Sequence, residues 1–94
     1  LLALACPAQA ATPAQQCSVW ARMADSMAQG RDAGVPLRSQ LKKVHALSGK
    51  QGVTNANIAF ARGIATAVYR DLAKKPPVEV AQTVLAACMV SSSK

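Results

Sequence analysis

The sequence predicts an all-α domain, a compact bundle of about four helices closed by one disulfide bond. Apolar residues make up 51% of the 94 positions, many of them alanine, and aromatic residues only 3%. This composition favours close helix–helix packing over a β-sheet. Apolar residues also recur with helical spacing in four segments separated by glycine and proline, and the first and last segments each contain a cysteine. The predicted helices span about 13–33, 36–48, 55–74 and 77–90.

The beginning of the chain resembles the end of a secretory signal peptide. An apolar stretch and a proline precede an A-x-A cleavage site at residues 8–10. We therefore expect residues 1–10 to be the C-terminal part of a signal peptide and 11–94 to form one helical domain. The alternative is lipidation at Cys6, whose surroundings loosely resemble a bacterial lipobox. No apolar run elsewhere approaches the ~18 residues that span a bilayer, so the sequence predicts a periplasmic or secreted protein without a transmembrane segment.

The first two helices are predicted from a cap and from two apolar stripes. Thr12 is a hydroxyl cap, and Pro13 follows at the first helical position, where a missing N–H costs nothing. Gly34 is a suitable end for this helix. Its inward stripe comprises Cys17, Trp20, Ala21, Ala24, Met27 and Ala28. The stripe of the second helix comprises Leu37, Leu41, Val44 and Leu47.

The third and fourth helices follow in the same way. Thr54 is the predicted cap of the third helix, whose last turn contains Lys74 and Lys75 at the negative end of the helix dipole. Pro76 and Pro77 then break the chain and start the fourth helix. The third helix has the clearest amphipathic pattern, with Ile58, Ala61, Ile64, Ala65, Val68 and Leu72 in one stripe. The fourth presents Val80, Ala81, Val84, Leu85 and Cys88.

The cysteines predict a disulfide bond between the first and last helices. If Cys6 leaves with the signal peptide, Cys17 and Cys88 remain in an oxidising compartment, and two cysteines allow one connectivity. The bond would close a loop of about 70 residues, which the chain-entropy model values at roughly 4 kcal/mol. A redox-active pair is the alternative, but such pairs usually lie close together as C-x-x-C. The spacing therefore favours a structural bond.

The candidate catalytic chemistry is sparse. His45 is the single histidine, and its flank carries Arg38 and Lys42 rather than a carboxylate that could orient a general base. The four acids are scattered over different segments, and one histidine with two oxidised cysteines is a poor metal-ligand set. Motifs for covalent haem, for phosphate loops and for a serine nucleophile are absent from the sequence. We expect no enzyme activity, no metal and no cofactor; an enzyme with a site around His45 is the alternative.

The charge indicates an anionic partner. Eleven Lys and Arg residues against four acids give a net charge of +7, which attracts anionic surfaces. Nucleic acid is disfavoured, because the chain lacks aromatic platforms and a clustered basic element, and because export removes the target. Anionic lipid, lipopolysaccharide or a periplasmic protein are the candidate partners, whereas a basic surface that is simply solvated is the interpretation that the charge alone favours. The candidate surface on the second and third helices comprises Arg38, Lys42, Lys43, Arg62, Arg70 and Lys74.

A short set of motifs resembles a group of small exported proteins of Gram-negative bacteria. The motifs are a cysteine early in the first helix, Arg31-Asp32-x-Gly34 at its end, Val68-Tyr69 late in the third helix, and then a proline and a closing cysteine. Members of that group have two cysteines and are all-helical, and most have no assigned activity. The resemblance implies a compact periplasmic fold in which Asp32 and Tyr69 fix loop and helix packing. It implies no reaction.

A weaker likeness is to the periplasmic acid-stress chaperones, which are also small, helical and tied by one disulfide bond. With four acids and one histidine, this chain has few groups that titrate in acid, so their acid-driven mechanism transfers poorly. A chaperone would also need an apolar surface, for which Met23, Met27 and Met89 are candidates. We therefore expect a non-catalytic binding protein, with a chaperone-like stress protein as the first alternative.

Overall fold

Four α-helices make up the fold of the part of the chain that the structure describes. The computed structural model describes residues 12–92. Helix α1 spans Pro13–Asp32, α2 spans Leu37–His45, α3 spans Asn55–Tyr69 and α4 spans Pro77–Ser92. The all-α prediction and the order of four helices are confirmed. The predicted signal-peptide remnant and Cys6 lie outside the described residues. None of the four helices combines the length and apolarity needed to cross a bilayer.

Local signals determine both ends of α1. The Thr12 hydroxyl accepts a hydrogen bond from the Gln15 N–H at 3.1 Å, and the Gln15 side chain accepts one from the Thr12 N–H at 2.9 Å, which is a capping box. At the other end, Gly34 has φ +95°, and the Val35 N–H bonds to the Gly30 carbonyl at 2.8 Å. This is a Schellman motif, which needs a residue without a Cβ at its left-handed position.

Helix α1 lies at the centre of the packing. It packs along most of its length against α4 and also contacts α3, while α2 pairs with α3. Helices α3 and α4 hardly touch each other. The Cys17–Cys88 bond joins α1 to α4 across a sequence separation of 71, with the two Cα atoms 5.6 Å apart. The predicted disulfide bond is therefore confirmed, and it connects the two helices that share the largest contact.

The core is built from the predicted stripes, with one exception. Side chains from all four helices enter it, and Val68, Val80 and Cys17 are the largest that are fully buried. Leu85 was predicted to face inward but is 37% exposed. It follows Val84, which packs on the core, and one residue turns the side chain by about 100° around the helix axis. Because α3 hardly contacts α4, nothing from that helix covers Leu85.

The predicted second helix is too long at both ends, since α2 begins at Leu37 rather than 36 and ends at His45 rather than 48. The Leu47 N–H bonds to the Val44 carbonyl at 3.0 Å, and the next N–H also reaches back three residues instead of four. This tighter pattern ends the α-helix, and Gly49 with φ +86° then reverses the chain.

The predicted third helix is also too long, because α3 ends at Tyr69 rather than 74. Beyond that point the Leu72 N–H bonds to the Ala67 carbonyl, five residues earlier, at 2.9 Å. The Val68 carbonyl, which would accept this N–H in a continued α-helix, instead accepts a bond from the side chain of Arg31. At the other two helix ends the differences are one or two residues.

Candidate functional site

The predicted basic surface consists of side chains that are all exposed. Within residues 12–92, none of them makes a side-chain hydrogen bond or an ion pair. Their charges are therefore available to a partner and are not neutralised by the fold. The set comprises Arg38, Lys42, Lys43, Arg62, Arg70 and Lys74.

The three cations of α2 do not all lie on the same side of the helix. Arg38 and Lys42 lie four residues apart on one flank of α2. Lys43 lines a shallow depression between α1 and α2, together with Met23 and Met27. By helical period it therefore projects to a different side of α2 than Lys42 does.

Arg70 and Lys74 are brought together at the turn from α3 to α4. They line one depression with Asp71, Lys75 and Glu79. Lys75 Nζ lies 3.9 Å from Glu79 Oε1, and both side chains are about half exposed, so this pair contributes little to stability. This end of the molecule therefore has mixed charge with an excess of cations.

Arg31 has a structural role that the sequence analysis missed. Its guanidinium donates to the carbonyls of Val68 and Leu72, both at 2.9 Å, and of Lys75 at 2.7 Å. It also pairs with Asp32 at 2.9 Å, and its side chain is only 11% exposed. The five N–H donors of a guanidinium can satisfy several carbonyls at once. Arg31 thereby caps the end of α3 and connects the turn before α4 to α1.

A second set of hydrogen bonds is centred on the buried Gln40. We call the two sets together the polar clasp, which comprises Arg31, Asp32, Gln40 and Tyr69. The Gln40 amide is 5% exposed and donates to the Met27 carbonyl at 3.2 Å and to the Tyr69 hydroxyl at 3.3 Å. The Tyr69 hydroxyl in turn donates to the Val35 carbonyl. Tyr69 therefore links α3 to α2 and to the chain before α2, whereas within residues 12–92 the exposed Asp32 side chain contacts only the adjacent Arg31.

One sequence signal for Arg31 was present. It lies three and four residues after Ala28 and Met27, so it continues the inward stripe of α1. A cation at the end of an apolar stripe is a candidate for burial with partners. Gln40 carries a comparable signal, since it lies three residues after Leu37 and four residues before Val44 in the inward stripe of α2. Its partners on α1 and α3 could not be read from the sequence.

His45 lies in an exposed position at the last residue of α2. Its side chain makes no hydrogen bond or ion pair with the described residues. In residues 12–92 there is also no group of three His, Cys, Asp or Glu side chains that could hold a metal ion. Among the acids, Asp25 accepts a hydrogen bond through Oδ1 from Gln29 Nε2 at 2.6 Å.

An apolar groove lies between α3 and α4, and the sequence analysis did not predict it. It has a volume of about 580 Å³. Trp20 of α1 forms part of it and contacts Phe60 edge to face, with ring centroids 4.8 Å apart. Phe60 is 46% exposed, so its ring is open to the groove and to solvent. The groove exists because α1 separates α3 from α4.

These features define a small all-α protein closed by a disulfide bond, with exposed cations and an apolar groove. No family model, no curated protein and no solved structure matches the chain. The resemblance to small exported bacterial proteins stays a prediction.

Proposed function

We propose that this chain is an exported, non-catalytic binding protein of the periplasm or the extracellular space. Its partners are anionic components of the cell envelope, which it contacts through the basic side chains of α2, of α3 and of the turn that follows α3. The observation that carries this proposal is that the cations of the candidate surface are exposed and unpaired within residues 12–92. The disulfide bond supports an oxidising compartment, since such bonds are rare in the cytosol.

The expected strength follows from the number of cations that reach the surface. Each Lys or Arg near an anionic membrane contributes about 1 kcal/mol. Three contacts, such as those of Arg62, Arg70 and Lys74, would supply about 3 kcal/mol. This attraction acts within a Debye length of about 10 Å at 0.1 M salt and about 3 Å at 1 M. Binding should therefore be weak, reversible and strongly dependent on salt.

The test is co-sedimentation of the oxidised protein with vesicles of phosphatidylcholine alone or mixed with phosphatidylglycerol. We expect binding only to the anionic vesicles at about 0.1 M salt and its loss at about 1 M. Combined charge reversal at Arg62, Arg70 and Lys74 should abolish it. Equal binding to neutral vesicles, or no binding under any condition, would show that the proposal is wrong and that the charge serves solubility.

A matched pair of single variants separates a defined surface from net charge. Arg62→Glu and Lys50→Glu change the total charge equally, but Lys50 lies in the loop between α2 and α3. Arg62→Glu should weaken vesicle binding at least fivefold, which corresponds to the loss of about 1 kcal/mol. Lys50→Glu should have a smaller effect. If both variants lose binding equally, no particular face is used.

One observation supports the chaperone alternative. Val78, Leu85 and Met89 lie on one side of α4 and are 60%, 37% and 39% exposed. Of the methionines proposed for such a surface, only Met89 is exposed, while Met27 is buried. Suppression of the aggregation of a denatured client, lost in Leu85→Ser, would favour this alternative. No arrangement around His45 favours an enzyme.

A further inference from the structure

The groove between α3 and α4 is an open depression between two helical walls. Phe60, Gly63 and Ala67 of α3 line one wall, and Val84 and Ala87 of α4 line the other. The α3 part of its lining, from Asn57 to Ala67, corresponds to about 15 Å of helix. A Cβ added at Gly63 would meet nothing within 4 Å, so the wall is open at its middle.

The volume of the groove is suited to a small ligand. At about 580 Å³ it falls within the range of roughly 300–1,000 Å³ that is typical of small-molecule sites. Gly63, Ala67 and Ala87 carry only small side chains, which leaves room between the walls for a chain of methylene groups.

One end of the groove is polar and basic. A second depression of about 490 Å³ adjoins it, because Trp20 and Asn57 line both. This depression also contains Gln15, Ser18 and Arg22. Arg22 is exposed, and its side chain has no hydrogen bond or ion pair among the described residues. The apolar groove therefore adjoins a depression that contains the exposed Arg22 side chain.

We propose that this groove binds the acyl chain of a single-chain anionic amphiphile, a long-chain carboxylate, with the carboxylate at Arg22 and Asn57. The walls bury methylene groups, and the guanidinium supplies the charge that complements a carboxylate. The net charge of +7 attracts such an anion from solution. This site is separate from the basic surface of the proposed function and does not depend on it.

The probe is sodium dodecanoate, added below the concentration at which it forms micelles to the full oxidised chain. Trp20 is the single tryptophan and lines the groove, so its fluorescence reports occupancy directly. We expect a saturable change in emission. Because each buried methylene changes affinity about fourfold, sodium decanoate should bind roughly fifteenfold more weakly. No saturable binding by fluorescence or by calorimetry would overturn the proposal.

Two variants test the position of the acyl chain. Gly63→Leu places a side chain in the groove and should weaken dodecanoate binding at least tenfold. It should not impair folding, since leucine is a better helix former than glycine. The matched control is Ala56→Leu, at an exposed position of α3 outside the groove lining, which should bind as the wild type does. If Gly63→Leu also binds as the wild type does, the groove is not the site.

The charge requirement is tested separately. Arg22→Gln should weaken dodecanoate binding severalfold and leave the binding of uncharged dodecanol unchanged. Equal effects on the two probes would overturn the placement of the carboxylate. If the protein is instead a dimer by analytical ultracentrifugation, and Gly63→Leu dissociates it without any dodecanoate binding, the groove belongs to an interface between copies and the proposal is wrong. Vesicle binding by the Arg62→Glu variant has no bearing on these outcomes.

Discussion

Within the polar clasp, Arg31 is the residue whose replacement should lower the stability of the protein most. We consider Arg31→Met, which keeps a long apolar stem but removes every donor. The variant loses two part-buried hydrogen bonds, to the Val68 and Leu72 carbonyls, and one exposed bond to the Lys75 carbonyl. It also loses the ion pair with Asp32, whose side chain is 52% exposed and therefore contributes little.

The magnitude follows from the two part-buried bonds. A hydrogen bond to a charged group contributes about 1.5–3 kcal/mol, so their loss should cost about 3 kcal/mol at the lower value. A domain of this kind is stable by only about 5–15 kcal/mol. At about 4–8 °C for each kcal/mol, Tm should fall by roughly 12–24 °C. The helical turn at the end of α3 should fray first, since its carbonyls lose their partner.

The assay is urea unfolding followed by far-UV circular dichroism, with the disulfide bond intact in every variant. The free energy of unfolding of Arg31→Lys should lie between the values of the wild type and Arg31→Met. A lysine ammonium group keeps the charge but lacks the planar set of donors that lets a guanidinium bond to several carbonyls at once. Arg62→Met is the control, since Arg62 is exposed and its side chain has no partner in the described region; it should change stability by less than about 0.5 kcal/mol. If Arg31→Met and Arg62→Met unfold at the same urea concentration, our account of the clasp is wrong.

Two further predictions concern the covalent link and the helical glycines. Replacing Cys17 and Cys88 together by alanine should lower the free energy of unfolding by about 4 kcal/mol, since the bond closes a separation of 71 residues; urea midpoints unchanged from the wild type would contradict this. Gly63→Ala should raise stability by about 0.5–1 kcal/mol, because the position is helical and open. Gly30→Ala would place its Cβ 2.5 Å from the Gln40 amide nitrogen and displace a buried donor, so it should be about 1–3 kcal/mol less stable than Gly63→Ala; equal midpoints for the two glycine variants would refute this reasoning.

The candidate surface was predictable in part. Exposure of Arg38, Lys42 and Arg62 follows from their positions opposite the apolar stripes, which a helical period of 3.6 residues makes readable. The position of Arg70 and Lys74 was not, although a continued third helix would also have made them neighbours, four residues apart. The structure places both in the turn beyond α3, in one depression with Asp71, Lys75 and Glu79. That turn depends on Arg31, whose partners are 37 to 44 residues away.

Features that depend on neighbours within one helical turn could be read from the sequence, namely the four helices, the caps at Thr12 and Thr54, and the apolar stripes. The Cys17–Cys88 bond spans 71 residues, and it was predicted from the cysteine count on the expectation that Cys6 leaves with the signal peptide. Capping and amphipathic spacing are local, so they can be read from the chain.

Three features follow from how the helices pack against one another. They are the residue at which α3 ends, the side of α4 that remains exposed, and the groove between these two helices. Each depends on α1 lying between α3 and α4, so that Leu85 finds no cover and Phe60 stays half exposed. The choice of partner for a helix face is set by packing over the whole core, and the local pattern of apolar residues does not contain it.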